Sequence, residues 1–188
     1  MLPVPEDGIW IEMGGGTGAN LETLGSRIGA LRHVYIVDLC PSLLRVARQR
    51  IAQQNWSNVT VVEADVTTFR PAGDAAHVIT FSYSLTMIPD WAGAIEHAYA
   101  LLVPGGHIGV VDFHTTPTQW SLPLPCHTWL SRQFWPRWFA HDRVMLNAEH
   151  PLTLHRRFNP AHLSGHGGRI PYLPGLRMPY YQFIGRKS

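Results

Sequence analysis

Cysteine is scarce in this chain: Cys40 and Cys126 are the two in 188 residues. Two thiols cannot make the disulfide framework of a small secreted fold, so the count suits a reducing compartment, and both read as small core side chains. Long apolar runs are missing too. None nears the roughly 18 residues of a spanning helix, and the opening "MLPVPEDG" has neither the basic nor the apolar segment of a secretion signal. The expectation is cytoplasmic, with peripheral attachment to a membrane surface. Charge of one sign is also lacking: at +2 with histidines neutral, the balance gives no reason to make nucleic acid the partner.

What the chain does have is 45% hydrophobic content over 188 residues, enough for the core of one domain without disulfide or metal. Ile9 to Met13 is a short apolar run that stops at glycines, as a buried parallel strand does. Leu21, Leu24, Ile28 and Leu31 then recur at helical spacing. "HVYIVDL" reads as a second strand. Pro41 suits a first helical turn, and Leu43, Leu44, Ala47 and Ile51 give "PSLLRVARQRIAQQ" one apolar face.

"VTVVEAD" and "AHVITFSYSL" repeat the strand pattern, a helix from Pro89 carries Trp91, Ile95, Ala98 and Leu102 on one side as far as "PGG", and "GHIGVVDFH" supplies a fifth strand. Such alternation predicts an α/β fold, a Rossmann-like doubly wound sheet that is mostly parallel. "AHLSGHGG" and "YYQFIGR" are expected to add an antiparallel C-terminal edge.

The turn "WIEMGGGTGANLE" concentrates Gly14, Gly15, Gly16 and Gly18 between the first strand and the first helix. Glycines there let a ligand approach the main chain closely. Gly14, Gly16 and Ala19 also satisfy the dinucleotide fingerprint. Asp38 ends the second strand 20 residues beyond Gly18, where a carboxylate can take both ribose hydroxyls of either a dinucleotide or another adenosyl ligand. Glu12, before the glycines, and Asp65, after the third strand, separate the two. Three carboxylates around one crevice repel a pyrophosphate and suit a cationic, phosphate-free ligand such as S-adenosylmethionine.

In "IEMGGGTG", "VDL", "EADVTTF", "FSYSLTMI" and "LLVPGGHIGVVDF", residues 9–114 look like the cofactor-binding core of class I methyltransferases. The resemblance implies that Glu12, Gly14, Gly16 and Gly18 hold the cofactor's amino-acid side, Asp38 and Leu39 the ribose, and Asp65 and Val66 the adenine. Ser82 and Tyr83 would stand near the methionine end and the incoming acceptor. The expected organisation is one methyltransferase domain over 1–188, with 9–114 the cofactor core and 115–188 the acceptor-facing and C-terminal hairpin region. Family members usually carry helices before the first strand. Here eight residues precede Ile9, so the cover helices are expected to be absent, as in a fragment, a start assigned too late, or a chain covered by another.

"FSYSLTMIPDW" and the tail "HLSGHGGRIPYLPGLRMPYYQFIGRK" resemble a narrower group, the methyltransferase component of betaine-lipid synthases. That resemblance implies three methyl transfers to the amine of diacylglyceryl-homoserine, a membrane lipid substrate, and an aminocarboxypropyl-transferase protein or domain as partner. An amine acceptor must lose a proton before each attack, so Tyr83 would orient its nitrogen, His114 would accept the proton, and Arg169 or Arg177 would meet the substrate carboxylate. Trp120, Trp129, Trp135 and Trp138, interleaved with Arg132, Phe134, Arg137 and Phe139, suit a headgroup-level surface or a helix packed on its own sheet.

His162 and His166 have a helical metal-site spacing, but Gly165, Gly167 and Gly168 speak against that helix, and no metal is expected. Open alternatives are a soluble amine as acceptor, a cofactor-binding or partner-binding module without catalysis, and a nicotinamide oxidoreductase.

Overall fold

The computed structural model describes residues 2–3, 5–72, 75–114, 122, 124, 146–169 and 177–188, less the side chains of Arg169 and Arg177. Cys126 and the aromatic and arginine residues Trp120, Trp129, Arg132, Phe134, Trp135, Arg137, Trp138 and Phe139 lie outside the described residues.

The strands are β1 (Ile9–Met13), β2 (His33–Asp38), β3 (Val59–Glu63), β4 (Ala76–Ser82), β5 (Leu102–Phe113), β6 (Asn159–Arg169) and β7 (Arg177–Arg186). The α-helices are α1 (Pro41–Gln54), α2 (Trp91–Leu101) and α3 (Glu149–Arg157). All strands join one sheet in the order β3-β2-β1-β4-β5-β7-β6. The first five are parallel, while β7 runs antiparallel to both β5 and β6. β7 therefore lies one place inside the sheet, and β6, parallel to the first five, forms the edge. This is the Rossmann-like, mostly parallel α/β sheet expected from the alternation, with its antiparallel addition at the C-terminal side.

Strand periodicity sorts the core into two layers. Ile11, Met13, Ile79, Phe81 and Phe183 pack on one face with Ile95 and Ala98 of α2 and Leu154 of α3. Trp10, Val34, Ile36 and Val78 pack on the other with Leu24, Ile28, Leu44 and Ala47. Trp10 spans the second layer and donates its indole N–H to the Thr80 hydroxyl at 2.9 Å.

The segment after the glycine turn differs from the expected α-helix: Ala19–Ala30 is 3-10 helix, kinked at Gly25 with φ 54°. Leu21 and Leu24, three apart, share the face of a three-residue turn, and the kink resets the phase so that Ile28 is also buried. α1 follows the expectation at Leu44 and Ala47, but Leu43 stays exposed. Leu102, expected on the α2 face, instead opens β5.

His162 and His166 lie on β6, where each hydrogen-bonds the Ser164 hydroxyl, at 2.8 and 2.9 Å. Among the described residues no group of three or more His, Cys, Asp or Glu side chains could hold a metal ion, and no helix is long and apolar enough to cross a membrane.

Candidate functional site

β1 lies between β2 and β4, so connections leave it toward opposite faces and a crevice opens at the carboxyl ends of these strands. A hollow of about 400 Å³ occupies that position, lined among others by Gly14, Asp38, Leu39, Asp65, Val66 and Ser84. The loops at the ends of β1, β2, β3 and β4 thus meet at one place.

The glycine turn is shaped by close packing. Gly14 has φ +68°, and a Cβ there would stand 2.5 Å from the Ser84 Cβ. Ser84 is itself fixed by its hydroxyl, which donates to the Met13 carbonyl at 2.9 Å. Gly16, at φ +51°, is less crowded: an added Cβ would meet only ordinary contacts, Leu43 Cδ1 at 3.6 Å and Asp38 Oδ2 at 3.9 Å. Gly18, at φ +67°, sits against Ile36 and starts the 3-10 segment.

Asp38 joins the turn to the next helix. Its Oδ2 accepts the Gly16 N–H at 2.9 Å and its Oδ1 the Cys40 N–H at 2.8 Å. Each oxygen keeps a further lone pair for a ligand hydroxyl. Cys40, expected as a core residue, is the partly exposed N-cap of α1 and lines the hollow. The strand's end at Asp38 puts the next residues at the rim, and Leu39 is 64% exposed there.

Asp65 Oδ1 accepts from the Thr67 hydroxyl at 2.7 Å and the Thr67 N–H at 2.8 Å, which hold its carboxyl below the usual range. It is exposed at the hollow's edge, beside buried Val66.

Glu12 departs from a shared open crevice. It is buried, receives the Asn20 amide at 2.9 Å on Oε1, and leaves Oε2 without a hydrogen-bond partner. Burial pushes its carboxyl up to about 7. Asp38 and Asp65 face the hollow together, whereas Glu12 lies behind the glycine turn.

Ser82 and Tyr83 also lie outside the hollow's lining. Ser82 lines a separate groove on the sheet face with Val111 and Gln182. Tyr83 has φ +53°, which breaks strand alternation at the end of β4 and turns Ser84, rather than Ser82, toward Gly14. The Tyr83 N–H donates to the Val111 carbonyl at 2.7 Å. His114 is fully buried, edge-on to the Tyr181 ring at 5.5 Å, and does not line the hollow. Side-chain positions of Arg169 and Arg177 are outside the described residues.

Residues not singled out beforehand complete the rim: Thr67, Met87, Ile88, Pro89 and Asp90. Their signal was position, since each lies in the connection that follows the carboxyl end of β3 or β4.

The hollow fits a phosphate-free adenosyl cation on its own residues. Asp38, Asp65 and Asp90 make the lining negative, Gly14 brings the main chain to the hollow's wall, and the Glu12 oxygen that has no hydrogen-bond partner among the described residues has capacity for a cation behind the turn. A pyrophosphate would meet repulsion at the same place.

Fold and site define a Rossmann-like methyltransferase architecture. A sequence profile described as a methyltransferase domain matches residues 11–106, and the chain belongs to that family, the class I S-adenosylmethionine-dependent methyltransferases. It is 26% identical over 128 residues to the ubiquinone/menaquinone biosynthesis C-methyltransferase UbiE of Legionella pneumophila (strain Corby), covering 68% of this chain and 50% of that protein. To the 2-phytyl-1,4-naphtoquinone methyltransferase of Thermosynechococcus vestitus it is 26% identical over 150 residues, 72% of this chain and 66% of the relative. The chain thus spans about half the length of the first of these relatives. Geranyl diphosphate methyltransferase in complex with S-adenosylmethionine shares the fold at a TM-score of 0.77 and 14% identity, over 99% of this chain and 80% of that one.

Proposed function

We propose that this chain transfers methyl groups from S-adenosylmethionine to the amine of diacylglyceryl-homoserine, giving the trimethylated betaine lipid. The observation that carries the reading is the position of "FSYSLTMIPDW", one of the two stretches resembling betaine-lipid synthases: Ser84, Met87, Ile88, Pro89 and Asp90 from it line the hollow. In this reading those residues would meet the acceptor beside the cofactor.

The cofactor supplies an activated methyl on a sulfonium. Asp38 would accept the ribose hydroxyls, Leu39 and Val66 would flank the adenosyl group, Asp65 would take the adenine amine, and Glu12 with the Gly14–Gly18 turn would receive the amino-acid end. The acceptor must present a neutral nitrogen, although an alkylammonium titrates near 10. Met87, Ile88 and Pro89 form an apolar rim, and such surroundings favour the neutral amine. Tyr83, next to Ser84 and 40% exposed though outside the hollow's lining, would orient it in this reading. Because His114 is buried away from the lining, the proton is assigned to solvent.

The same reading has an aminocarboxypropyl-transferase protein or domain supplying the lipid, with the chain working peripherally on the membrane. The names of the curated relatives favour a second reading, methylation of a ring carbon in a quinone precursor. Incubation with labelled S-adenosylmethionine and vesicles containing either acceptor separates the two. Label in the homoserine headgroup supports the first, and label confined to the quinone fraction replaces it with the second.

A further inference from the structure

We infer that the row of aromatic rings Tyr83, Phe113, Tyr180 and His166 is a binding site for a methylated ammonium group. Phe113 pairs directly with Tyr180 across β5 and β7, and Tyr180 with His166 across β7 and β6. Directly opposed residues share a face of the sheet, so these three rings stand in a line near the carboxyl end of β5. The Tyr83 ring closes the line at 4.7 Å from Phe113 and 6.5 Å from Tyr180, and His166 stacks on Tyr180 at 5.2 Å.

The row is accessible. Tyr83 and His166 are exposed, and Tyr180 is half-buried. Rings used only for the core would be covered, as Phe81 and Phe183 are. Their faces carry the negative part of the ring quadrupole, which attracts a cation most when the cation is weakly hydrated.

Charge nearby has the matching sign. Asp112, at the end of β5, is buried, and its hydrogen bonds come from Thr86 and from backbone N–H groups. Its carboxylate is close enough to help raise the Tyr83 phenol, after burial as the larger cause. Among the described residues Asp112 has no ion pair, and alternation along β5 puts it on the face opposite Phe113, so its charge would act on a cation at the row through the sheet.

The surroundings supply space on either side. Val111 lies one alternation before Phe113 and Gln182 one after Tyr180, Ser82 pairs with Val111, and all three line a groove of about 620 Å³ on the same sheet face. In the other direction, Tyr83 adjoins Ser84 of the methyl-transfer hollow. The assignment rests on the amine-methylation reading for the source of its ligand and deepens it, because a ring-carbon acceptor yields no such cation.

Choline and 3,3-dimethylbutanol test the site directly, since they share a shape and differ in charge. Titration of the protein with each, followed by ligand NMR, is expected to show choline bound roughly fivefold or more tightly, the ratio of an exposed to partly desolvated cation–π contact. Tyr180→Leu should bring that ratio close to one, whereas Tyr180→Phe and Tyr83→Phe, which keep the rings, should preserve it. Equal affinity for the two probes, no saturable choline binding, or a ratio unchanged in both Tyr180→Leu and Phe113→Leu overturns the site. Failure of the amine reading is read separately: label absent from the homoserine headgroup, with choline preference and its loss in Tyr180→Leu intact, removes the proposed acceptor and leaves the cation site standing.

Discussion

The Asp112 carboxylate accepts the Thr86 hydroxyl at 2.8 Å on one oxygen and the Thr86 N–H at 3.2 Å on the other. This ties the end of β5 to the Leu85–Met87 turn, whose flanks Ser84 and Ile88 line the hollow together with Met87. Asp112→Ala leaves both Thr86 groups buried without their acceptor, which costs about 1–3 kcal/mol each at most in such settings. Urea denaturation should show a loss of stability in that range, and calorimetry a weaker hold on S-adenosylmethionine. Unchanged stability and affinity would mean that the turn is fixed by other contacts.

Gly14 gives a sharper local test. Alanine there must adopt φ near +68° with its Cβ only 2.5 Å from the Ser84 Cβ, so backbone strain of roughly 1–2 kcal/mol adds to a steric overlap. Gly14→Ala should lower the denaturation midpoint and abolish measurable cofactor binding. Gly29→Ala is the control, because an added Cβ meets nothing within 4 Å. It should bind the cofactor as the parent does.

Glu12 predicts a pH dependence with a definite sign. Its carboxyl titrates near 7 in the folded chain against 4.5 ordinarily, because burial penalises the charge. Between those values the folded state holds the proton that the unfolded state has released. Stability from this group is therefore full below about pH 4.5 and falls by about 3 kcal/mol as pH rises to 7. Glu12→Gln should flatten that slope in denaturation series from pH 4.5 to 8. An identical slope in the variant would assign it to another group.

The same residue couples to the cofactor in the opposite direction. A cation beside Glu12 favours its charged form, so affinity for S-adenosylmethionine should rise as pH climbs toward 7 and level off above it. Calorimetry across this range checks it, and a profile unaffected by Glu12→Gln contradicts a role for the carboxylate in binding.

Much of the architecture could be read from local pattern. Ile9–Met13, "HVYIVD" and Val59–Glu63 are short apolar or β-branched runs bounded by turn residues, and each became a parallel strand. That Gly14, Asp38 and Asp65 would line one hollow was legible because the ends of adjacent parallel strands converge wherever the strand order reverses, whereas Leu39 and Val66 came with the methyltransferase resemblance. Details depending on a single backbone angle were hidden. Gly25 turns an apparent α-helix into two 3-10 pieces, and Tyr83 at φ +53° exchanges Ser84 for Ser82 at the hollow. Burial was also hidden. The spacing of Glu12 gives its neighbourhood, but only packing shows that its side chain turns inward to Asn20. Likewise the order of β6 and β7 rests on tertiary pairing, since both are similar turn-rich segments near the chain's end.

The central claim is that carboxylates at neighbouring strand ends hold a positively charged adenosyl ligand, and competitive calorimetry tests it most directly. Titration with S-adenosylmethionine and with a nicotinamide dinucleotide should show the former bound more tightly, and Asp38→Asn should weaken it by about tenfold, the scale of a lost charge-assisted hydrogen bond. Tighter binding of the dinucleotide, or S-adenosylmethionine affinity unmoved by both Asp38→Asn and Asp65→Asn, would contradict the account.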